Sequence, residues 1–245
     1  MPDYFSAQAA AYAAFRPTYP RELFAFVAGC APGRDLVWDC ATGSGQAALG
    51  LADDFARVIA TDSSAKQLAH APPHERIEYR VAPAEDCGLP DGCADAITVA
   101  QALHWFDLGR FYTEARRVLA PGGALVVWSY NDAILDDTAL DAELQRYNNT
   151  TVGSYWPPER QIVRDGYRTV PFPFAHLATP SLTLTREWAL AELAGYLRSW
   201  SATARYVAEH RTDPVVEFER SVADKWGDPT TRRVVSWPLV VLAGR

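Results

Sequence analysis

The chain has 245 residues, of which 49% are hydrophobic, and a formal net charge of −7 at pH 7. These values are sufficient for one large α/β domain, or for one domain with a modest insertion, with a filled core. The negative charge with scattered arginines argues against a nucleic-acid partner. We expect no membrane segment, because no apolar run approaches the roughly 20 residues of a span. We expect a cytoplasmic protein, because the first residues lack the features of a signal peptide and the four cysteines form no CxxC pair.

Taken in chain order, the predicted elements alternate between helices and short apolar strands. The strands are predicted at Leu36–Trp38, Val58–Thr61, Ile77–Val81, Ala94–Val99 and Ala124–Trp128. Helices are predicted at Arg21–Ala28, Gln46–Phe55, Ala65–His70 and Phe111–Leu119. This alternation predicts a doubly wound, mostly parallel sheet.

Beyond Tyr130 the alternation stops. Helices are predicted at Asp132–Tyr147 and Glu187–Tyr206, on either side of a segment rich in proline and aromatic residues. A last strand is predicted at Arg233–Leu242. We interpret the region between the strand Ala124–Trp128 and this last strand as an insertion that caps the sheet.

A glycine loop follows the first predicted strand. Gly43-Ser44-Gly45 comes directly before a helix, so the backbone can approach a ligand closely and the helix offers free N–H groups. With Ala48, the two glycines also satisfy the dinucleotide fingerprint G-x-G-x-x-G/A, and Asp62 lies near the distance expected for a ribose-binding acid. The loop alone therefore allows NAD as well as other nucleoside ligands.

Asp39, at the tip of the first strand, favours a ligand with an ammonium group over one with a pyrophosphate. A carboxylate beside the loop would repel a pyrophosphate and attract an ammonium group. The alternative is that Asp39 only holds the turn, by accepting hydrogen bonds from nearby backbone N–H groups.

The segment Asp39–Gly45 resembles the first motif of class I S-adenosylmethionine-dependent methyltransferases, and Asp62 resembles the acid that holds the two ribose hydroxyls of the donor. Further similar segments are Ala84-Glu85-Asp86, Gln101–Phe106 and Arg117–Gly123, so the resemblance covers about residues 35 to 130. The chain departs from the motif at Ala41, where the family commonly has glycine.

The resemblance implies a Rossmann-like methyltransferase fold with a seven-stranded sheet and S-adenosylmethionine as cofactor. It implies one methyltransferase domain over residues 1–245, with an N-terminal helical lid (1–30), a donor-binding core (35–130), a cap that binds substrate (131–210) and a terminal strand (230–245). The implied donor-binding residues, besides the lid, are Asp39, Ala41, Gly43, Gly45, Asp62, Ser63, Ala84, Glu85 and Gln101.

The N-terminal segment resembles the small-molecule branch that includes trans-aconitate methyltransferase-like proteins, through Tyr12, Arg16-Pro17 and Tyr19-Pro20. The resemblance implies that this segment folds over the donor, with Tyr12 or Arg16 at its methionine carboxylate. A surface salt bridge is the alternative role for Arg16.

The acceptor is expected to be a small molecule. His104, after the fourth strand, is the candidate to orient or deprotonate the acceptor, since a histidine pKa lies near neutrality; a packed structural histidine is the alternative. The aromatic residues expected to line the acceptor pocket are Trp105, Tyr130, Trp156 and Trp200. The spacing of Arg160, Arg164 and Arg168 is instead interpreted as a solvated helix face.

No metal site is expected, because Pro72 and Pro73 interrupt the i,i+4 pair His70 and His74. Direct in-line displacement of the methyl group requires alignment and exclusion of water more than any obligatory catalytic residue. Two alternatives stay open: an NAD-dependent oxidoreductase with a Rossmann domain, and a protein that binds S-adenosylmethionine without catalysis. The oligomeric state is left open.

Overall fold

A computed structural model describes residues 17–245 of the chain. The described residues divide into two compact units, a larger one of 18–131, 162–182 and 239–245, and a smaller one of 17, 132–161 and 183–238. The predicted cap region 131–210 is thus divided, because 162–182 belongs to the larger unit. Within 17–245, no helix is long and apolar enough to cross a membrane.

The larger unit contains five parallel strands, in the order β3-β2-β1-β4-β5. Their bounds are β1 (Leu36–Cys40), β2 (Arg57–Asp62), β3 (Ile77–Val81), β4 (Ala94–Ala100) and β5 (Leu119–Tyr130). The end of the last strand, β8 (Arg233–Gly244), pairs antiparallel with β5. The predicted mostly parallel sheet is confirmed, and the described residues contain eight strands in all where seven were predicted.

Helices pack on both faces of this sheet, which confirms the doubly wound prediction. The helices of the unit are α1 (Arg21–Cys30), α2 (Gln46–Leu51), α3 (Ala65–Leu68) and α4 (Leu108–Val118). Side chains of α1 and α2 pack with Val37 in one apolar layer, and those of α4 pack with Trp38 in another. Adjacent residues of a strand point to opposite faces, so the continuous apolar run of β1 serves both layers.

The smaller unit combines an antiparallel sheet with helices. The strands β6 (Ile134–Leu135) and β7 (Thr183–Trp188) both pair with the first half of β8. The helices are α5 (Thr138–Arg146), followed by a π-helical turn at Tyr147–Thr151, then α7 (Leu190–Arg198), α8 (Ser201–His210) and α9 (Pro214–Trp226). A short helix, α6 (Arg160–Arg164), begins in this unit.

Two long predicted helices are wrong in extent. The prediction for Asp132–Tyr147 missed β6, because α5 begins only where the Asp137 side chain accepts hydrogen bonds from two backbone N–H groups. The prediction for Glu187–Tyr206 missed the end of β7 and the break between α7 and α8 at residues 199–200. In both cases a short strand preceded the helix without a glycine or proline to mark the change.

Candidate functional site

The loop between β1 and α2 has a left-handed backbone at three positions. The φ angles are +56° at Ala41, +60° at Gly43 and +81° at Gly45. A Cβ atom added at Gly43 would lie more than 4 Å from every described atom except those of its chain neighbours, so the described residues leave this side of the loop open. Ala41 adopts the conformation that glycine adopts most easily, at a cost of about 1 kcal/mol, so the departure from the family motif preserves the shape of the loop.

Tyr79, on β3, lies against this loop. A Cβ atom added at Gly45 would stand 2.6 Å from the Tyr79 hydroxyl oxygen, so only glycine fits at this position. The hydroxyl is buried and forms no hydrogen bond with another described residue. Burial, together with the charge of Asp39, raises the pKa of Tyr79. A buried hydroxyl without a partner beside a glycine loop is suited to a ligand that supplies the missing hydrogen bond.

Asp39 is fully buried, and this changes the role predicted for it. Its two carboxylate oxygens accept hydrogen bonds from the Thr42 hydroxyl at 2.5 Å and the Thr98 hydroxyl at 2.8 Å. Burial raises the pKa of Asp39 from 3.8 to about 6, against the opposing effect of these hydrogen bonds. The carboxylate therefore holds the loop through Thr42 and has no exposed surface for direct contact with an ammonium group. This agrees with the alternative that Asp39 holds the turn, although these two donors are hydroxyl groups rather than backbone N–H groups.

Asp62, at the end of β2, connects the loop to the next strand. One carboxylate oxygen accepts a hydrogen bond from the Gly43 N–H at 2.9 Å, and the other from the Ser64 N–H at 2.8 Å. Burial raises the pKa of this carboxyl group, while the two backbone donors oppose the change. Each oxygen retains a further lone pair, so Asp62 can still accept from a vicinal diol. Its neighbour Ser63 is exposed, and Ser64 caps α3.

Three further predicted donor-binding residues follow β3 and β4. Ala84 is buried, and the Glu85 carboxylate accepts a hydrogen bond from the Asp107 N–H at 3.0 Å, just before α4. Gln101 has a left-handed φ of +59°, and its side-chain amide nitrogen is buried without a hydrogen-bond partner among residues 17–245. Like the Tyr79 hydroxyl, this amide is a donor that a bound ligand can satisfy.

His104 lies in a short 3₁₀ turn, Leu103–Trp105, that follows β4. Its Nδ1 atom is 3.1 Å from the Tyr167 hydroxyl oxygen, and its ring centroid is 4.7 Å from that of Trp105. Burial lowers the pKa of His104 to about 4 and raises that of Tyr167. At neutral pH the imidazole is therefore uncharged and the phenol is protonated.

The four aromatic residues predicted to line one acceptor pocket fall into two units. Trp105 and Tyr130 belong to the larger unit, and Trp156 and Trp200 belong to the smaller one, where their ring centroids are 5.2 Å apart. Tyr130 and Trp200 are buried. Tyr12 and Arg16 lie outside the described residues.

Arg160 corrects the prediction of a solvated helix face. Its guanidinium carbon lies 3.5 Å from the ring centroid of Trp156, and its head group forms an ion pair with Asp132. Only 23% of its side chain is exposed. The helix α6 ends at Arg164, so Arg168 lies beyond it, and the spacing at fours could not reveal that Arg160 lies against a tryptophan.

Several residues at the site were missed by the sequence reasoning. Thr98 and Tyr79 reach the loop only because β4 and β3 are in register with Asp39 and Ala60. Tyr167 meets His104 from a segment predicted to belong to the cap. No sequence signal marks these contacts, since each one joins segments that lie far apart along the chain.

Comparisons with known proteins agree with this geometry. The sequence profile of a family described as "Methyltransferase domain" matches residues 38–127, from β1 into β5. A Dictyostelium discoideum protein named as a methyltransferase is 33% identical over 99% of this chain and 95% of its own length.

Solved structures extend the comparison to the fold. A structure described as a type II methyltransferase from Anaeromyxobacter dehalogenans has 43% sequence identity and a TM-score of 0.89, and the match covers 95% of this chain and 98% of that one. The YcgJ protein of Bacillus subtilis shares the fold, at 15% identity and a TM-score of 0.54, over 92% of this chain and 98% of that chain. The chain therefore belongs to the class I S-adenosylmethionine-dependent methyltransferases.

Proposed function

We propose that this methyltransferase acts on a small-molecule acceptor, with the donor held beside the β1–α2 loop and the acceptor oriented by His104. The observation that carries the proposal is the loop itself. Three of its residues are left-handed, and the described residues leave the side of Gly43 open next to the Asp62 carboxylate. The proposal includes a cytoplasmic location, which the four free cysteines support.

The residues around the loop fit S-adenosylmethionine. Asp62 would accept hydrogen bonds from the ribose hydroxyls, with Ala41, Gly43, Gly45 and Ser63 beside it. The Gln101 amide and the Tyr79 hydroxyl are buried donors that lack partners in the described part of the chain. Ala84 and Glu85 are proposed to lie at the adenine, and Tyr12 and Arg16 at the methionine carboxylate. Asp39 would act through Thr42, by fixing the loop.

The bound donor supplies a methyl group on a positively charged sulfur, which a nucleophile displaces directly. The protein is left with three tasks: to bind both reactants, to align them and to exclude water. His104 serves the alignment, because its neutral imidazole can exchange a hydrogen bond with the nucleophilic atom of the acceptor. Trp105 and Tyr130 would contribute apolar surface in the larger unit, and Trp156 and Trp200 in the smaller one.

A small molecule is the acceptor that the composition favours. The formal net charge of −7 opposes binding to nucleic acid. The aromatic residues named above can contact the flat or apolar parts of a metabolite. The resemblance to trans-aconitate methyltransferase-like proteins supports the same class of acceptor.

Calorimetry tests the donor site. The wild-type protein is expected to bind S-adenosylmethionine and S-adenosylhomocysteine but not NAD. Asp62→Ala should weaken binding of both sulfur ligands at least tenfold, because hydrogen bonds to a charged group are worth about 1.5–3 kcal/mol each. An exposed carboxylate of the same unit provides the control, Asp53→Ala, which removes a charge without touching the Asp62 contacts. Binding of NAD alone, or an unchanged affinity in Asp62→Ala, would contradict the proposed site.

A labelled-methyl assay against pools of metabolites tests the acceptor. Transfer of label to a small molecule is the expected result. Donor binding together with persistent inactivity against all pools would instead favour a protein that binds S-adenosylmethionine without catalysis.

A further inference from the structure

His104 and Tyr167 form a pair whose proton positions decide what the histidine can do. A neutral imidazole carries one proton on two nitrogens, so one nitrogen donates a hydrogen bond and the other accepts. Nδ1 of His104 lies 3.1 Å from the Tyr167 hydroxyl oxygen, and Nε2 forms no hydrogen bond with any other residue in 17–245. The proton on the Tyr167 hydroxyl therefore determines which role is left to Nε2.

We infer that the Tyr167 hydroxyl donates its proton to Nδ1 of His104, and that His104 consequently presents Nε2–H to the acceptor as a hydrogen-bond donor rather than as a base. A phenol is a stronger acid than a neutral imidazole N–H, and an imidazole nitrogen is a better acceptor than a phenol oxygen. The hydrogen bond from oxygen to nitrogen is thus the stronger of the two possible arrangements. This inference rests on the proposed role of His104 at the acceptor.

The surroundings of Tyr167 support the same direction. The residue is 1% exposed, so its hydroxyl proton cannot be satisfied by bulk water and needs an acceptor within the protein. In the opposite arrangement Nδ1–H would donate to the phenol oxygen, and the phenol proton would require a second acceptor. Ser129 is the hydroxyl residue that could serve, because it lies near enough to lower the pKa of Tyr167. Its buried Oγ atom, however, has hydrogen-bond geometry with no residue in the described part of the chain, whereas Nδ1 of His104 does have it with the Tyr167 hydroxyl.

Tyr167 is also held firmly enough to impose this choice. Its backbone is left-handed, with a φ of +57°, a conformation that a bulky residue adopts only when its surroundings fix it. Its backbone N–H donates to the Ile162 carbonyl at 3.0 Å, and its carbonyl accepts from the Val170 N–H at 3.0 Å. Tyr167 is accordingly a positioning residue that acts through His104.

The inference restricts the acceptor of the proposed reaction. An acceptor atom that receives a hydrogen bond from Nε2–H must present a lone pair to it, and His104 then takes no proton from that atom. When the methyl group moves, the bond from sulfur to carbon breaks and the bond from acceptor to carbon forms. His104 keeps its proton throughout. The nucleophile is therefore an anion, such as a carboxylate, or an atom whose proton is released to solvent and not to His104.

Nitrogen NMR of the full chain, labelled at the histidine rings, tests the assignment. The ring nitrogens report protonation directly, so at pH 7 the wild-type protein should show a protonated Nε2 and an unprotonated Nδ1 for His104, assigned by its loss in His104→Gln. Tyr167→Phe should shift the Nδ1 resonance, because the hydrogen bond that holds the tautomer is lost. A protonated Nδ1 in the wild type, or unchanged ring resonances in Tyr167→Phe, would overturn the inference.

Two control variants make the result specific. Tyr112→Phe removes another buried tyrosine hydroxyl of the same unit, which donates to the Pro171 carbonyl at 2.7 Å, and should leave the His104 resonances unchanged. Ser129→Ala should also leave them unchanged, whereas a shift would mean that the Tyr167 proton is donated to Ser129. These spectra need no donor or acceptor, so failure of S-adenosylmethionine to bind in calorimetry would contradict the proposed function separately.

Discussion

Replacing Asp39 with asparagine is expected to stabilise the protein selectively at neutral pH. The carboxyl group is fully buried and its pKa is raised from 3.8 to about 6. The folded protein therefore binds this proton more tightly than the unfolded chain does. Stability from the protonated form is fully present below pH 3.8, decreases as the pH rises, and is lost above pH 6. Asparagine has the same shape and cannot ionise, so it removes this loss.

The size of the effect follows from the pKa change. A rise from 3.8 to about 6 corresponds to about 3 kcal/mol of unfolding free energy. Most of it, about 2 kcal/mol, falls between pH 4 and pH 7, because the unfolded carboxyl group is already partly ionised at pH 4. Altered hydrogen bonds of asparagine with Thr42 and Thr98 change the unfolding free energy of the variant by the same amount at every pH. They therefore do not affect how the difference between variant and wild type depends on pH.

Urea unfolding followed by tryptophan fluorescence measures this difference at several pH values between 4 and 8. The difference in unfolding free energy, variant minus wild type, should increase by about 2 kcal/mol from pH 4 to pH 7 and then stay level. Thr98→Val is an informative control, because it removes a hydrogen bond that favours the ionised carboxylate and should extend the pH-dependent loss to higher pH. Parallel stability curves for Asp39→Asn and the wild type would refute the reasoning.

Three further predictions concern the loop, the histidine and the smaller unit. Gly45→Ala should abolish donor binding in calorimetry and lower stability by about 2 kcal/mol, because the new Cβ atom would lie 2.6 Å from the Tyr79 hydroxyl in a left-handed backbone. An unchanged melting temperature would contradict this. With an acceptor identified, His104→Gln should retain more activity than His104→Ala, because glutamine keeps a donor in place of Nε2–H; equal losses would favour a base. Arg160→Ala should lower the free energy of unfolding in urea by about 1–2 kcal/mol, through loss of the contact with Trp156, and Arg160→Lys should lose less. Equal stabilities of the wild type and Arg160→Ala would argue against that contact.

The sheet was the most predictable part of the fold. Strands such as Ile77–Val81 and Ala94–Ala100 were located within one residue, because a run of five to seven residues between turn residues is too short for a typical helix and favours a strand. The helix boundaries were less predictable. Asp107 and Asp137 start α4 and α5 by accepting backbone hydrogen bonds, and a single capping side chain moves a boundary by several residues without changing the apolar pattern.

The site was predictable as a loop but not as a set of contacts. The motif located Gly43, Gly45 and Asp62, because their spacing depends on neighbours in the chain. The partners of Asp39 depend on strand register, which pairs it with Ala60 on one side and with Thr98 on the other. Register is set by packing over the whole sheet, so a local pattern does not determine which side chains meet a given carboxylate.

Burial of Asp39 changes how its charge can select a ligand. Ala60 pairs with both Asp39 and Tyr79, and Asp39 pairs with Thr98, so three polar side chains share one register row beneath the loop. With a pKa of about 6 the carboxylate is mostly ionised at neutral pH. A charge in surroundings of low dielectric acts on nearby ligands without contact. We therefore still expect Asp39 to favour a ligand with an ammonium group over a pyrophosphate, through its electric field rather than through direct contact.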